Sequence, residues 1–274
     1  MDLNTITEVL RPTSADAVTK WENDFAWLAG GTWLFSEPQI HIHTLIDLET
    51  LRWPSLQASK KGLDIAATCK IVELDQFVEK APSDWTAAPL FRKCCRSFLA
   101  SFKIWNEATV GGNICMSLPA SPMVSLATAL EGICTLWPRG GKPREVSVTE
   151  FVTGNHANVL AAGELLRSIH LPATALKKSF AFRRFSLTNL GRSEVLLIGT
   201  RCREKGTFLL TVTAATLRPV QLQFKNIPPA EELKQAIDDA VPFSLYLDDT
   251  HGSPAHRKQL TYYFAEQIRE ELSA

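Results

Sequence analysis

Short apolar runs recur along the chain, each closed by glycine, proline or a polar cluster. "FAWLAG" (25–30) is an unbroken apolar run ending in glycine, and it predicts a strand. "HTLIDL" (43–48) reads the same way, and "GLDIAATCKIVEL" (62–74) switches from strand-like to helix-like spacing. Ahead of them, "TSADAVTKWEND" (13–24) predicts a short helix started by Thr13 or Ser14. Between Asp75 and Ala100 the pattern turns helical. "APLFRKCCRSFLASF" sets Leu90, Phe91, Cys94, Cys95, Phe98 and Leu99 on one core-facing stripe. "SPMVSLATALEG" predicts a helix opened by Ser121, with Pro122 at its first position.

The remaining chain reads as sheet and then helices. "GICTLWP", "REVSV", "ELLRSIHLP" and "KSFAFRRFS" predict short strands; "EVLLIGTRCR", "GTFLLTVTAAT" and "VQLQFK" predict an antiparallel meander. "PAEELKQAIDDAV" gathers Leu233, Ala236, Ile237 and Ala240 on one side. "SPAHRKQLTYYFAEQIREEL" carries Ser253 as cap and Leu260, Phe264, Ile268 and Leu272 as a stripe. Mixed βα first, then sheet, then helices, is the order of an α+β protein rather than a doubly wound sheet. The composition shift near "LPATALKKS" (171–179) divides the chain into residues 1–175 and 176–274.

Composition adds limits. With 29 Lys+Arg against 29 Asp+Glu, no global field draws the chain to nucleic acid or an anionic membrane, so any anion site is local. The six cysteines form no C-x-x-C, and none stands beside histidines at zinc-like spacing, so a zinc or iron–sulfur site is not expected. Their apolar surroundings suit buried free thiols. "MDLNTITEVLRPTSADAV" has no basic stretch leading into an apolar one, and no run reaches membrane-spanning length. A reduced, cytoplasmic protein is expected.

Several chemistries have no residues to carry them. There is no G-x-G-x-x-G after a strand, no G-x-x-x-x-G-K-[ST] and no G-x-S-x-G. His41 and His43 would share a strand face but lack a third ligand. The acidic pairs Glu231–Glu232 and Asp238–Asp239 are expected on the solvated side of their helix.

Two stretches remain. "LAGGTWLF" (28–35) and "ATVGGNICM" (108–116) both set Gly-Gly after an apolar, strand-like stretch and follow it with Thr or Asn. Glycine permits positive φ and close approach to the backbone. Successive exposed N–H groups in such a turn make an anion-binding nest. Thr32, Thr109 and Asn113 add side-chain hydrogen bonds, so two such loops can grip a pyrophosphate from two sides without lysine or arginine.

"LAGGTWL" together with "ATVGGNI" resembles the paired FAD-binding segments of the flavoprotein (medium) subunit of molybdenum hydroxylases, the xanthine dehydrogenase and carbon monoxide dehydrogenase family. "LRPTSADAV", "TLIDLETL", "GELLRSIHLP", "FAFRRFS" and the closing "GSPAHRKQLTYYFAEQIREEL" resemble that subunit's order of segments, from about residue 5 to residue 270. The resemblance implies a vanillyl-alcohol-oxidase-like (PCMH-type) FAD-binding fold in two subdomains, followed by a small domain of antiparallel strands and helices. It implies that the cofactor's adenosine pyrophosphate lies along Ala29, Gly30, Gly31, Thr32, Trp33 and Leu34, and along Thr109, Val110, Gly111, Gly112 and Asn113. Trp27, Leu28 and Ser121 are expected to contact the cofactor as well. Leu99, Leu166 and Arg183 fall at positions that approach the flavin in the family.

The resemblance also implies a division of labour: a partner molybdopterin subunit hydroxylates substrate, and a small partner passes electrons through two [2Fe–2S] clusters. The flavin subunit hands them to an external acceptor, in a dimer of heterotrimers, and no general acid or base is expected here. Three positions depart from the family pattern. Pro122 stands where an aspartate is common, Trp33 where Asp often follows G-G-T, and Ile104-Trp105-Asn106 replaces Ile-Arg-Asn. The backbone cradle is independent of all three, and Trp33 is expected either to stack on a ring of the flavin or, the favoured reading, to fill core. Two other readings remain: a free-standing flavin oxidoreductase, and a non-catalytic assembly module that has lost FAD.

Overall fold

The computed structural model describes residues 4–14, 17, 18 and 20–274. The helix expected over 13–24 runs through residues 15, 16 and 19, which lie outside the described residues. Three strands, β1 (Glu8–Leu10), β2 (Phe25–Leu28) and β3 (Thr44–Asp47), form a parallel sheet in the order β1-β3-β2. The central strand buries Leu45 and Ile46. All three strands therefore end at one edge, and the first Gly-Gly leaves the sheet there, directly after β2.

A second sheet takes strands from both sides of a helical stretch. Strands β4 (Leu56–Ser59) and β5 (Gly62–Ala66) lead into α1 (Ile71–Phe77), α2 (Pro89–Cys95), α3 (Phe102–Glu107), α4 (Val110–Met116) and α5 (Pro122–Ala129). The chain then returns through β6 (Ile133–Trp137), β7 (Arg144–Ser147), the single turn α6 (Val148–Phe151), the hairpin β8 (Val152–Gly154) and β9 (Ala157–Asn158), and β10 (Leu165–Pro172). The sheet order is β4-β5-β10-β6-β7, antiparallel throughout. Long-range pairing of β5 with β10 closes the helices over one face, and their apolar stripes meet Leu63, Ile65, Leu136 and Ile169.

After the turn α7 (Ala173–Leu176), strands β11 (Ser179–Phe185), β12 (Val195–Arg201), β13 (Phe208–Thr213) and β14 (Val220–Phe224) form a four-stranded meander in chain order. The expected meander gains β11 as its first strand. Two helices follow, α8 (Ala230–Ala240) and α9 (Pro254–Ser273). Helix α9 packs so close to β12 that a Cβ at Gly199 would meet Ile268 at 2.2 Å. On the other side α5 is buried at all eight positions, and Ser125 Oγ lies 2.7 Å from Thr213 Oγ1. A helix apolar all round belongs between two layers, and that is where α5 sits. Asp238 on α8 pairs with Lys258 at 2.7 Å and accepts from the Tyr262 hydroxyl. It ties α8 to α9 rather than only facing solvent.

The stripe read through Phe98 and Leu99 stops short: α2 ends at Cys95, and Leu99 is 60% exposed in the connection to α3. His41 and His43 precede β3 in irregular backbone, and His43 Nδ1 lies 2.9 Å from the Thr5 carbonyl. No group of metal-binding side chains forms among the described residues. No helix among them is long and apolar enough to cross a membrane. All six cysteines are free.

Candidate functional site

The two Gly-Gly segments meet. A Cβ at Gly30 would stand 1.9 Å from the Glu107 carbonyl oxygen and 3.2 Å from Ala108 Cα, so the first segment lies directly on the backbone that leads into the second. Only glycine permits that approach. Gly31 adopts φ +67°, the left-handed region, and swings the chain into a turn closed by the Phe35 N–H donating to the Gly31 carbonyl at 2.8 Å. Among the described residues, none of the N–H groups from Ala29 to Leu34 meets an acceptor. Half-buried Ala29, Gly30, Gly31 and Thr32 thus present a run of unpaired donors at the carboxyl edge of a parallel sheet, where ligands of α/β sheets bind.

The second segment differs from its expected form. It follows helix α3, not a strand, and Gly111 and Gly112 are the first turn of α4. Its amides are already engaged. Val110 N–H donates to Cys69 O at 2.8 Å, Gly111 to Ala67 O at 3.0 Å, Gly112 to Thr109 Oγ1 at 3.0 Å and Asn113 to Thr109 O at 3.0 Å. No nest of free amides exists there. The glycine at 111 has a packing cause instead, since a Cβ would meet Ala67 Cβ at 2.4 Å. Thr109 is the N-cap, and a cap of this kind contributes about 1 kcal/mol.

Asn113 takes the capping role expected of Ser121. Ser121 opens α5 without capping it; its hydroxyl, nearly fully buried, donates to the Asn113 carbonyl at 3.2 Å. The cap comes from Asn113, whose Oδ1 accepts from Met123 N–H at 3.0 Å. Both residues join α4 to α5.

Trp33, expected in the core, is 37% exposed, with its ring centroid 5.6 Å from that of His156. Trp27 lies in β2 against Trp21, centroids 5.0 Å apart, and its buried Nε1 has no partner among the described residues. Leu28 and Leu34 are half-buried beside the turn. Three residues lie outside this constellation. Leu166 is 2% exposed in the core of the five-stranded sheet, one residue before a bulge in β10, so almost none of its surface reaches solvent. Arg183, on β11, gives its guanidinium to Gln267 at 2.8 Å and Glu271 at 2.6 Å on α9. Leu99 is exposed at the α2–α3 connection.

A cleft of about 200 Å³ opens between the segments, with Ala29 from the first and Thr109 from the second in its wall. Thr68, Ser55, Lys70 and Arg52 line it too. None of these four was singled out from the sequence. The available signal was position: Arg52 follows the central parallel strand as Ala29 follows the edge strand. Lys70 Nζ pairs with Glu107 at 3.2 Å, bracing the backbone that Gly30 touches. Among the thiols, burial raises Cys69, Cys94, Cys95 and Cys134 well above the ordinary value, and pushes Cys115 in α4 up to about 12. These groups stay protonated and unreactive.

The family described as "FAD binding domain in molybdopterin dehydrogenase" matches residues 5–174. Xanthine dehydrogenase 1 of Arabidopsis thaliana is 25% identical over 130 residues, 44% of this chain and 9% of that protein. Caffeine dehydrogenase subunit beta of Pseudomonas sp. (strain CBB1) is 34% identical over 96 residues, 34% of this chain and 32% of that subunit. The matched stretches therefore span under a third of either relative. Among solved structures, a chain of quinoline 2-oxidoreductase from Pseudomonas putida 86 superposes with TM-score 0.81 at 19% identity, covering 99% of this chain and 98% of that one. Carbon monoxide dehydrogenase from Hydrogenophaga pseudoflava, in a form lacking the Mo-pyranopterin moiety of its molybdenum cofactor, gives TM-score 0.77 at 19% identity, with 96% of each chain covered. At such identities the likeness is one of fold: a PCMH-type FAD-binding architecture followed by antiparallel strands and helices.

Proposed function

The chain belongs to the family of FAD-binding domains in molybdopterin dehydrogenases, and we propose that it is the FAD-binding, electron-transferring subunit of a heteromeric molybdenum hydroxylase. The observation that carries the reading is the run of unpaired N–H groups from Ala29 to Leu34, set against Glu107 and Ala108. The donor set fits the cofactor: a pyrophosphate needs many convergent donors, and backbone amides at a tight glycine turn supply them without side chains in the way.

In this reading the first segment binds the pyrophosphate, and Gly31 holds the turn open in its left-handed conformation. Thr109, Val110, Gly111, Gly112 and Asn113 form the opposing wall. Their role is to fix position, since their amides are spent, while Asn113 keeps its side-chain N–H₂ free of any acceptor among the described residues. Bound FAD supplies the redox chemistry, accepting electrons and releasing them. The chain's own task is to bind and orient it. Leu99, Leu166 and Arg183 are carried as flavin-side positions, of which exposed Leu99 is the most accessible.

The division into an FAD-binding part, 1–175, and a C-terminal part, 176–274, belongs to the same proposal. So do a cytoplasmic location, a small [2Fe–2S] partner, a large molybdopterin partner, and an external electron acceptor. The caffeine dehydrogenase relative is named as a subunit, which supports a multi-chain assembly. The test is purification of the chain followed by titration with FAD and by co-purification from its native host. Saturable FAD binding, with an iron–sulfur chain and a molybdopterin chain in the same complex, is the expected result. A chain that takes up no FAD would favour the assembly-module reading, and one that binds FAD without partners the free-standing oxidoreductase.

A further inference from the structure

Two clefts share the carboxyl edge of the parallel sheet. The inner one, about 200 Å³, holds Ala29 and Thr109; the outer, more open one, about 640 Å³, holds Arg11 and Asp47. Arg52 lines both. It follows a single helical turn after β3 and adopts φ 50°, ψ 41°, the left-handed region that costs a side-chain-bearing residue on the order of 1 kcal/mol. Its N–H donates to the Glu49 carbonyl at 3.1 Å.

The neighbouring cations are committed. Arg11 faces Asp47 at 3.8 Å, and Lys70 faces Glu107 at 3.2 Å. Glu73 accepts from Ser55 Oγ and from Lys70 N–H. Arg167 stacks on Trp53, its guanidinium carbon 4.0 Å from the ring centroid. Glu49, three residues before Arg52, lines both clefts and makes no ion pair with it. Among the described residues Arg52 has no acidic partner, so its guanidinium is an uncommitted cation in the wall of the cleft that holds Ala29, where the amide turn begins.

We propose that Arg52 contacts the pyrophosphate of FAD and supplies the positive charge that the Ala29–Leu34 amides lack. The inference rests on the FAD reading above and departs from the expectation that the grip needs no arginine. Amides give direction but no net charge, whereas a pyrophosphate carries negative charge on both phosphoryl groups. A guanidinium matches phosphate oxygens in a two-pronged hydrogen bond, which a single ammonium does not.

The test is FAD titration of the full chain, followed by flavin fluorescence at low and at high salt, for wild type, Arg52→Gln and Arg52→Lys. Arg52→Gln is expected to raise the dissociation constant roughly tenfold or more at low salt, the loss of one charge-assisted contact, and to flatten its salt dependence. Arg52→Lys is expected to restore part of the affinity, and melting of the FAD-free variants to match wild type. Arg52→Gln binding FAD as wild type does, with the same salt dependence, overturns the inference and leaves the FAD reading intact. Lowered melting with Arg52→Lys no better than Arg52→Gln marks a structural role and overturns it too. A wild-type chain that binds no FAD overturns both.

Discussion

Gly30→Ala tests the contact on which the site is built. The added methyl would stand 1.9 Å from Glu107 O and 2.7 Å from Glu107 C, where ordinary contact begins near 3.4 Å. The two segments must therefore part by about 1.5 Å, because the opposing atoms are backbone and no side chain can swing away. Overpacking of this kind costs roughly 1–3 kcal/mol. For a chain of this size each kcal/mol lowers the melting temperature by about 2–4 °C, so a fall of roughly 2–12 °C is expected in a thermal scan of the FAD-free protein. The same displacement moves the amide turn away from Thr109, so FAD affinity is expected to drop about tenfold or more in a fluorescence titration. Gly31→Ala is the internal comparison. Its Cβ meets the half-exposed Phe35 ring at 2.6 Å, which can rotate away, leaving mainly the left-handed strain of about 1 kcal/mol. Gly30→Ala with unchanged melting and unchanged FAD affinity would refute the reasoning.

Three further outcomes follow from the same contacts. Arg257 is fully buried and donates to Gly252 O, Glu194 O, Ala214 O and Asp249 Oδ1; Arg257→Leu strands those acceptors and is expected to cost about 3–5 kcal/mol by urea unfolding. Arg144 grips both oxygens of buried Glu164 at 2.7 Å and holds its carboxyl below the usual range. A folded-state pKa below the unfolded one stabilises above the unfolded value, and the effect is lost as pH falls through the folded value. Glu164→Gln is therefore expected to destabilise fully at neutral pH, and its gap from wild type to close as pH falls below about 4. With four thiols buried and the half-buried Cys115 held protonated as well, a thiol reagent at neutral pH is expected to label Cys202 first in the native protein and all six cysteines after denaturation.

What was legible in the sequence is what periodicity and glycine encode. Alternating and continuous apolar runs marked β2, β3, β5 and the meander, and the stripes on α8 and α9 fell on buried Leu233, Ile237, Phe264 and Ile268. The first Gly-Gly read correctly as a turn with a left-handed residue. The second was read as a turn after a strand, whereas it opens a helix after α3, because packing and ligand approach demand the same residue. Gly111 is small so that α4 can press on Ala67, a contact that exists only once β5 and α4 are brought together. Asn113 capping α5 at Met123, ten residues on, and Leu99 leaving its stripe where α2 stops, are likewise tertiary facts. Trp33 was assigned to the core by composition alone, and no local pattern separates a core tryptophan from one lying over His156. Arg52 was passed over because an isolated arginine after a strand carries no motif beyond its position.

The central claim is that the Ala29–Leu34 amides await the cofactor while the Val110–Asn113 amides are already bonded within the chain. Amide hydrogen exchange with and without FAD measures that difference directly. The expected result is fast exchange over 29–34 that FAD slows, beside slow exchange over 110–113 that FAD leaves nearly unchanged. FAD binding that slows exchange at 110–113 and leaves 29–34 as fast as before would contradict the account.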